Sequence, residues 1–215
     1  MRMTALEALQ RLQEGNQQFA ENIFKSSDRV KEVKWALGNS DQDPFAVILG
    51  CSDSRVPVEV VFNQGFGDLF VIRVAGNIVA PSQIGSIEFA AEKFGTRLVV
   101  VLGHTHCGAI DATLDSMLHP EAANSRNLLS IVDRIRPSLQ GLMATELRHD
   151  HALLKKAAVR TNVSISASFL RHGSRLIEDL TKDGKLLVVG AEYSLETGVV
   201  DFFDGMPGSR GPMRD

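Results

Sequence analysis

Apolar residues along this chain recur at two periods, and the switch between them divides it into elements. From 4 to 22, Leu6, Leu9, Leu12 and Phe19 return at helical spacing. With Thr4 as the N-cap, this predicts an amphipathic helix that Gly15 interrupts. Such a stripe packs either on its own domain or on a partner subunit. A second helical stretch is expected over 28–38. The pattern then changes to short unbroken apolar runs: "PFAVILG" (44–50), "DLFVIRVAG" (68–76), "RLVVVLG" (97–103) and "LLVVGAEY" (186–193). Runs of this length read as strands buried on both faces. "VEVVFN" (58–63) fits helix or strand, and "GVVDFF" (198–203) reads as an edge strand after a turn. "GSIEFAAEKFG" (85–95) has helical spacing and a closing glycine. The stretches 125–140 and 145–182 are mostly helical, with "RHDH" (148–151) solvated.

Strands that alternate with helices predict an α/β fold with a mostly parallel central sheet. It would have a four-stranded core and one edge strand, flanked by helices. No linker or repeat divides the chain, so 1–204 reads as one domain. Residues 1–40 form its N-terminal helical arm, and 205–215 a loose Gly/Pro-rich tail.

Composition narrows the class. The formal net charge is −3 with no basic block, which argues against nucleic-acid binding. No segment approaches the roughly 18 apolar residues of a membrane span. The N-terminus lacks the apolar core of a secretory signal, so the cytoplasm is the expected location. There, the two cysteines point to metal binding or catalysis rather than a structural disulfide.

Both cysteines stand where apolar runs break off. "LGCSDSR" puts Cys51, Asp53 and Arg55 after one strand, and "LGHTHCGA" puts His104 and Cys107 after another. In parallel sheets, sites collect at the carboxyl ends of strands. Cys51, His104 and Cys107 therefore form a candidate ligand set, and two thiolates with an imidazole suit Zn²⁺. Three protein ligands leave a fourth position open. Plain core packing of the cysteines is the alternative, but it gives Asp53 and Arg55 nothing to do. Asp53 could fill the fourth position or accept a hydrogen bond from water there. Arg55 could hold it as a bidentate ion pair. His104 is favoured over His106, because a histidine adjacent to Cys107 converges on one ion less readily. His119, His149, His151 and His172 read as surface residues. Gly108 follows at an expected helix N-terminus, where backbone N–H groups could meet an anion; it could equally just permit the turn.

C-x-D-x-R after a strand and H-x-x-C-G some fifty residues later resemble the β-class carbonic anhydrases. "CSDSRVP", "FVIRVAGN", "GSIEFA" and "GHTHCGA" carry the resemblance, which runs from about residue 4 to 204. It implies reversible hydration of CO₂ to bicarbonate and a proton by zinc-bound hydroxide. The zinc ligands would be Cys51, His104 and Cys107, with Asp53 as exchangeable fourth ligand and Arg55 as its partner. It implies a homodimer or homotetramer whose N-terminal helices pack on a partner subunit. It places Gln42 and Phe70 at the substrate pocket, with Phe89 where the family often carries tyrosine. Some members have a second, non-catalytic bicarbonate pocket. Arg73 and Tyr193 match two of its positions, but Ile48 holds the third and the single tryptophan, Trp35, lies elsewhere. Two thiolates would cancel the ion's charge, so activity should rise with pH and Asp53 should compete for the ion at the low end. The alternatives are turnover of another small linear substrate such as carbon disulfide, a non-catalytic zinc-stabilised assembly subunit, or a redox protein using Cys51 and Cys107.

Overall fold

A computed structural model describes residues 3–23, 42–119 and 125–208. The helix expected over 28–38, Trp35 and the end of the tail lie outside these residues. Five strands form one sheet in the order β2-β1-β3-β4-β5. They are β1 (Ala46–Gly50), β2 (Leu69–Arg73), β3 (Leu98–His104), β4 (Leu187–Tyr193) and β5 (Val200–Asp204). The first four are parallel, and β5 closes one edge antiparallel to β4. This is the expected four-stranded core with an edge strand.

The apolar runs are continuous because both faces of the sheet are covered. Ala46, Ile48, Val100, Leu102, Val189 and Ala191 face one layer, where α1 (Ala5–Ile23) and α2 (Val58–Val61) lie. Val47, Leu49, Val99, Val101 and Val188 face the other. There they meet α3 (Pro81–Phe89), α6 (His151–His172) and α7 (Arg175–Lys182). Beyond the carboxyl ends of the strands, α4 (Gly108–Leu118), α5 (Arg126–Met143) and α6 enclose a third apolar cluster that contains both cysteines. Gly103 and Gly190 let α6 approach the sheet: a Cβ on either would come within 2.5 and 2.8 Å of Val163.

Several expectations need adjustment. Of the α1 stripe, Leu9 and Leu12 join the core with Ala8, α2 and the sheet, Phe19 packs partly buried against it, and Leu6 is exposed. The helix continues through Gly15, where a Cβ would stand 1.9 Å from the Phe62 carbonyl oxygen. Asn16, on the next position, donates to Val61 O and Gly198 O and accepts from Val200 N. The ambiguous 58–63 run forms a single helical turn. The 68–76 strand stops at Arg73 and gives way to a 3₁₀ turn over Ala75–Asn77. The helix read from 85 begins earlier, at Pro81, and ends with a π turn at left-handed Gly95. The stretch 145–182 splits into a 3₁₀ turn, α6 and α7; Asp150 of "RHDH" caps α6 by accepting from Ala152 N and Leu153 N.

Candidate metal centre

The strand order explains why Cys51 and His104 meet. From β1 the sheet extends one way to β2 and the other way to β3, so the connections after β1 and β3 diverge and leave a crevice at their carboxyl ends. Cys51 directly follows β1, and His104 is the last residue of β3. The turn through Thr105 and His106 then delivers Cys107 to the start of α4. His106 is left-handed (φ 55), which reverses the chain tightly enough to bring Cys107 back to His104.

Cys51, His104 and Cys107 form a buried group whose ligating atoms all lie within 4.8 Å of one another. The two sulfurs are 4.0 Å apart and both cysteines are free. His104 is fully buried. Its Nδ1–H donates to Thr105 O at 2.8 Å, which leaves the Nε2 lone pair facing the sulfurs without a hydrogen-bond partner. A fully buried, unpartnered imidazole nitrogen beside two thiols is costly unless an electrophile occupies the space between them. The residues therefore fit a metal ion, and their chemistry is one zinc favours.

The sulfurs are coupled. The Cys107 S–H shared with Cys51 pulls the Cys51 thiol down, and the Gly76 N–H, donating to its sulfur at 3.3 Å, acts in the same direction. Cys107, holding the remaining proton, is pushed up by that sharing and by burial. Burial lowers the His104 pKa, but the Cys51 sulfur, the Thr105 carbonyl and Asp53 more than offset it, so the net shift is upward.

Asp53 stands at the edge of this group. Its Oδ2 is 3.9 Å from His104 Nε2. Arg55 holds it from three directions: backbone N and Nε donate to Oδ1 at 2.9 Å each, and Nη2 to Oδ2 at 2.7 Å. This grip keeps the carboxyl well below the usual carboxylate range. Arg55 Nη2 also donates to His106 O, 3.1 Å away, tying the two motif loops together. Gly108 is exposed as the first residue of α4, and a Cβ there would meet nothing within 4 Å. The turn therefore does not require glycine at 108; the left-handed residue is His106.

The substrate-pocket candidates lie elsewhere in the chain. Gln42 is exposed on the segment entering β1 from its amino end. Phe70 pairs with Val47, four residues short of Cys51, and packs against Phe89 and Phe94 with ring centroids at 6.2 and 6.1 Å. His106 is an exposed rim residue, not one of the three converging groups, and its Nε2 meets Glu196 at 2.5 Å. His119, His149, His151 and His172 are exposed.

Two residues with clear work here were not assigned it from sequence. Arg73 donates from Nε to Cys51 O at 2.9 Å and from Nη2 to Asp53 O at 2.5 Å, so it braces the first motif loop. Tyr193 and Ile48, its companions in the matched second pocket, are buried in the apolar cluster on the α1 side of the sheet. Glu196, in the turn after β4, accepts from Thr105 Oγ1 and Ser194 Oγ at 2.9 Å each as well as meeting His106. Its own backbone N–H, then Thr105 and Ser194, lower its pKa to about 2. Both roles depend on contacts across the fold, which no local motif announces. Beside the centre, a cleft of about 770 Å³ is bordered by His106, Cys107, Lys155, Arg160, Glu192 and Glu196.

Known proteins share both the sequence and the fold. Residues 46–200 match the family described as "Carbonic anhydrase". Carbonic anhydrase 2 of Mycobacterium tuberculosis is 33% identical over 187 residues, covering 87% of each chain. The carbonic anhydrase of Mycolicibacterium smegmatis is 36% identical over 191 residues, covering 88% of this chain and 89% of its own. The solved structure of the β-carbonic anhydrase CcaA superposes with a TM-score of 0.68 at 29% identity, covering 92% of this chain and 95% of that one. Together with the Cys-His-Cys group at the strand ends, these similarities establish that the chain belongs to the β-class carbonic anhydrase family.

Proposed function

We propose that this protein is a zinc enzyme that interconverts CO₂ and water with bicarbonate and a proton, and that Cys51, His104 and Cys107 hold the zinc. The observation that carries the reading is the unpartnered, fully buried Nε2 of His104 facing two free thiols. When bound, zinc supplies Lewis acidity that makes a water nucleophilic near neutral pH.

The chain's own residues supply the rest. Asp53 accepts a hydrogen bond from the attacking water: it stays ionised in the Arg55 grip, and its Oδ2 lies within reach of the space His104 Nε2 faces. Arg55 fixes the carboxylate so that it orients the water; in another rotamer, Asp53 can compete with water for the fourth position. The open amino end of α4 at Gly108 offers partial positive charge to the oxygens of CO₂ as they become those of bicarbonate. Phe70 lies about 13 Å along the sheet from Cys51, at roughly 3.3 Å per residue. A pocket role for Phe70, and with it Gln42, therefore requires a second copy of the chain, which supports a homodimer or a homotetramer built from it. Among the described residues no helix is long and apolar enough to cross a membrane. Cysteines that must stay reduced to hold a metal suit the cytoplasm, the location expected from the sequence.

The test is metal content and CO₂ hydration on the same purified sample. About one zinc per chain is expected, with activity lost on chelation and restored by zinc. A metal-free preparation with full activity would overturn the proposal.

A further inference from the structure

The turn that leaves β2 reaches back to the metal centre. In Ala75–Asn77, two successive residues are left-handed, Gly76 at φ 67 and Asn77 at φ 43. Left-handed backbone is uncommon for any residue but glycine and persists only where the surroundings enforce it. Both residues are buried. One side of Gly76 faces Cys51, whose sulfur accepts its N–H at 3.3 Å. The other side is held from α6: Asn162 Nδ2 donates to Gly76 O at 2.9 Å. Asn162 is 3% exposed, and its Oδ1 accepts from Ser138 Oγ of α5 at 3.3 Å. A Cβ at 76 would come within 2.6 Å of Ile135 Cδ1 and 3.1 Å of Ala109 Cβ, so α4 and α5 close the remaining approaches.

Asn162 is a polar amide within an apolar stripe, between Ala158 and Val159 on one side and Val163 on the other. A buried amide is tolerated only when its bonds are made. Here they are made to a turn whose next hydrogen bond ends on a metal-ligand sulfur. We propose that Asn162 is a positioning residue for the metal centre, holding Gly76 so that its N–H stays aimed at the Cys51 thiolate. The inference rests on the reading of Cys51 as a metal ligand. An N–H donated to a thiolate withdraws charge from sulfur and fixes the direction of its remaining lone pairs. The sulfur then donates less to the ion while being better aimed at it, the kind of outer interaction that tunes metal sites.

The test compares wild type with Asn162→Ala and Asn162→Ser, each loaded with Co²⁺ or Zn²⁺. Melting curves first establish that each variant is folded. Loss of the N–H···S bond should move the sulfur-to-cobalt charge-transfer band to lower energy. Zinc release to a chelator should quicken by about tenfold. A purely structural asparagine would lower the melting temperature while leaving band and release rate unchanged, and that result overturns the proposal. The wild type supplies a measurement independent of variant folding. With ¹¹³Cd bound, the Gly76 amide proton should show a scalar coupling to the metal through Cys51 Sγ. Full cadmium occupancy without that coupling overturns the inference alone. Wild-type protein that takes up neither Co²⁺ nor Cd²⁺ overturns the metal reading and this inference with it.

Discussion

Replacing Asp53 by asparagine separates the chemistry of the site from its architecture. The substitution keeps the side chain's shape and one oxygen. That oxygen can still accept from Arg55 N and Nε, which lie 2.9 Å from Oδ1 in the wild type. The new amide nitrogen takes the place of Oδ2, which Arg55 Nη2 approaches at 2.7 Å, and two donors then face each other. One of three contacts is lost outright, and the others lose their ionic component. The pair opens to solvent on the arginine side, where exposed ion pairs contribute little. Folding stability should therefore fall by only about 1 kcal/mol, or about 2–4 °C in Tm for a chain of this size. The rate should fall much further. The amide nitrogen that replaces Oδ2 cannot accept the water's hydrogen bond, and losing the orientation of a reacting group costs on the order of 10²-fold. A hundredfold loss corresponds to about 2.7 kcal/mol of barrier. Stopped-flow CO₂ hydration, normalised to bound zinc, measures the rate, and a thermal melt measures the stability. Zinc content should match wild type. Zinc-normalised turnover within about threefold of wild type would refute the role given to Asp53; a rate loss that merely tracks lost zinc would make the residue a ligand and not an acceptor.

Glu196→Ala should release the turn between His104 and Cys107, speeding zinc release about tenfold in chelator competition while CD spectra stay unchanged. Gly15→Ala should cost about 3 kcal/mol or more, a fall of at least roughly 6 °C in Tm, because the obstacle to a Cβ is the Phe62 backbone oxygen and neither helix can yield without unpacking Leu9 and Leu12. Acid stability should also depend on Asp53. Its folded pKa lies below the ordinary value of 3.8, so its contribution is present above that pH and is lost as pH falls further towards the folded pKa. Melts of wild type and Asp53→Asn should therefore converge between about pH 4 and 2, and a constant gap across that range would contradict the assigned ion pair.

The strands were readable because a sheet covered on both faces demands continuous apolar runs, and the candidate ligands because they interrupt those runs with thiol, imidazole and carboxylate. Choosing His104 over His106 needed only the geometry of adjacent residues; in the fold His106 is left-handed and turned to Glu196. The surroundings were less accessible. Arg73 reaches back 20 and 22 residues, Glu196 reaches 91 to Thr105, and Asn162 reaches 86 to Gly76. Spacing in the sequence carries no trace of such contacts. The α1 stripe shows a different limit. Helical periodicity says that one face is apolar, but not what covers it: Leu9 and Leu12 meet the core of the same chain beside Phe62, while Leu6 stays exposed.

The placement of donors also answers a problem of charge. Two thiolates balance a divalent cation, so a metal held by Cys51, Cys107 and a neutral His104 would have little positive charge left with which to acidify water. Both sulfurs sit where the backbone offsets their charge. The Gly76 N–H points at Cys51, and the N–H groups of Ile110 and Ala109, in the first turn of α4, act on Cys107 to favour its thiolate. Arg55 adds a full positive charge that both sulfurs feel. Each donor would draw electron density from a sulfur that holds the metal. Removing one sulfur is no substitute for this arrangement. Cys51 and Cys107 are fixed by different elements, and loss of either leaves the other buried beside His104 with the ligand set incomplete. The turn after β2, the amino end of α4 and the C-x-D-x-R loop thus converge on one electrostatic task, and the reversal of strand order at β1 brings all three to the same crevice.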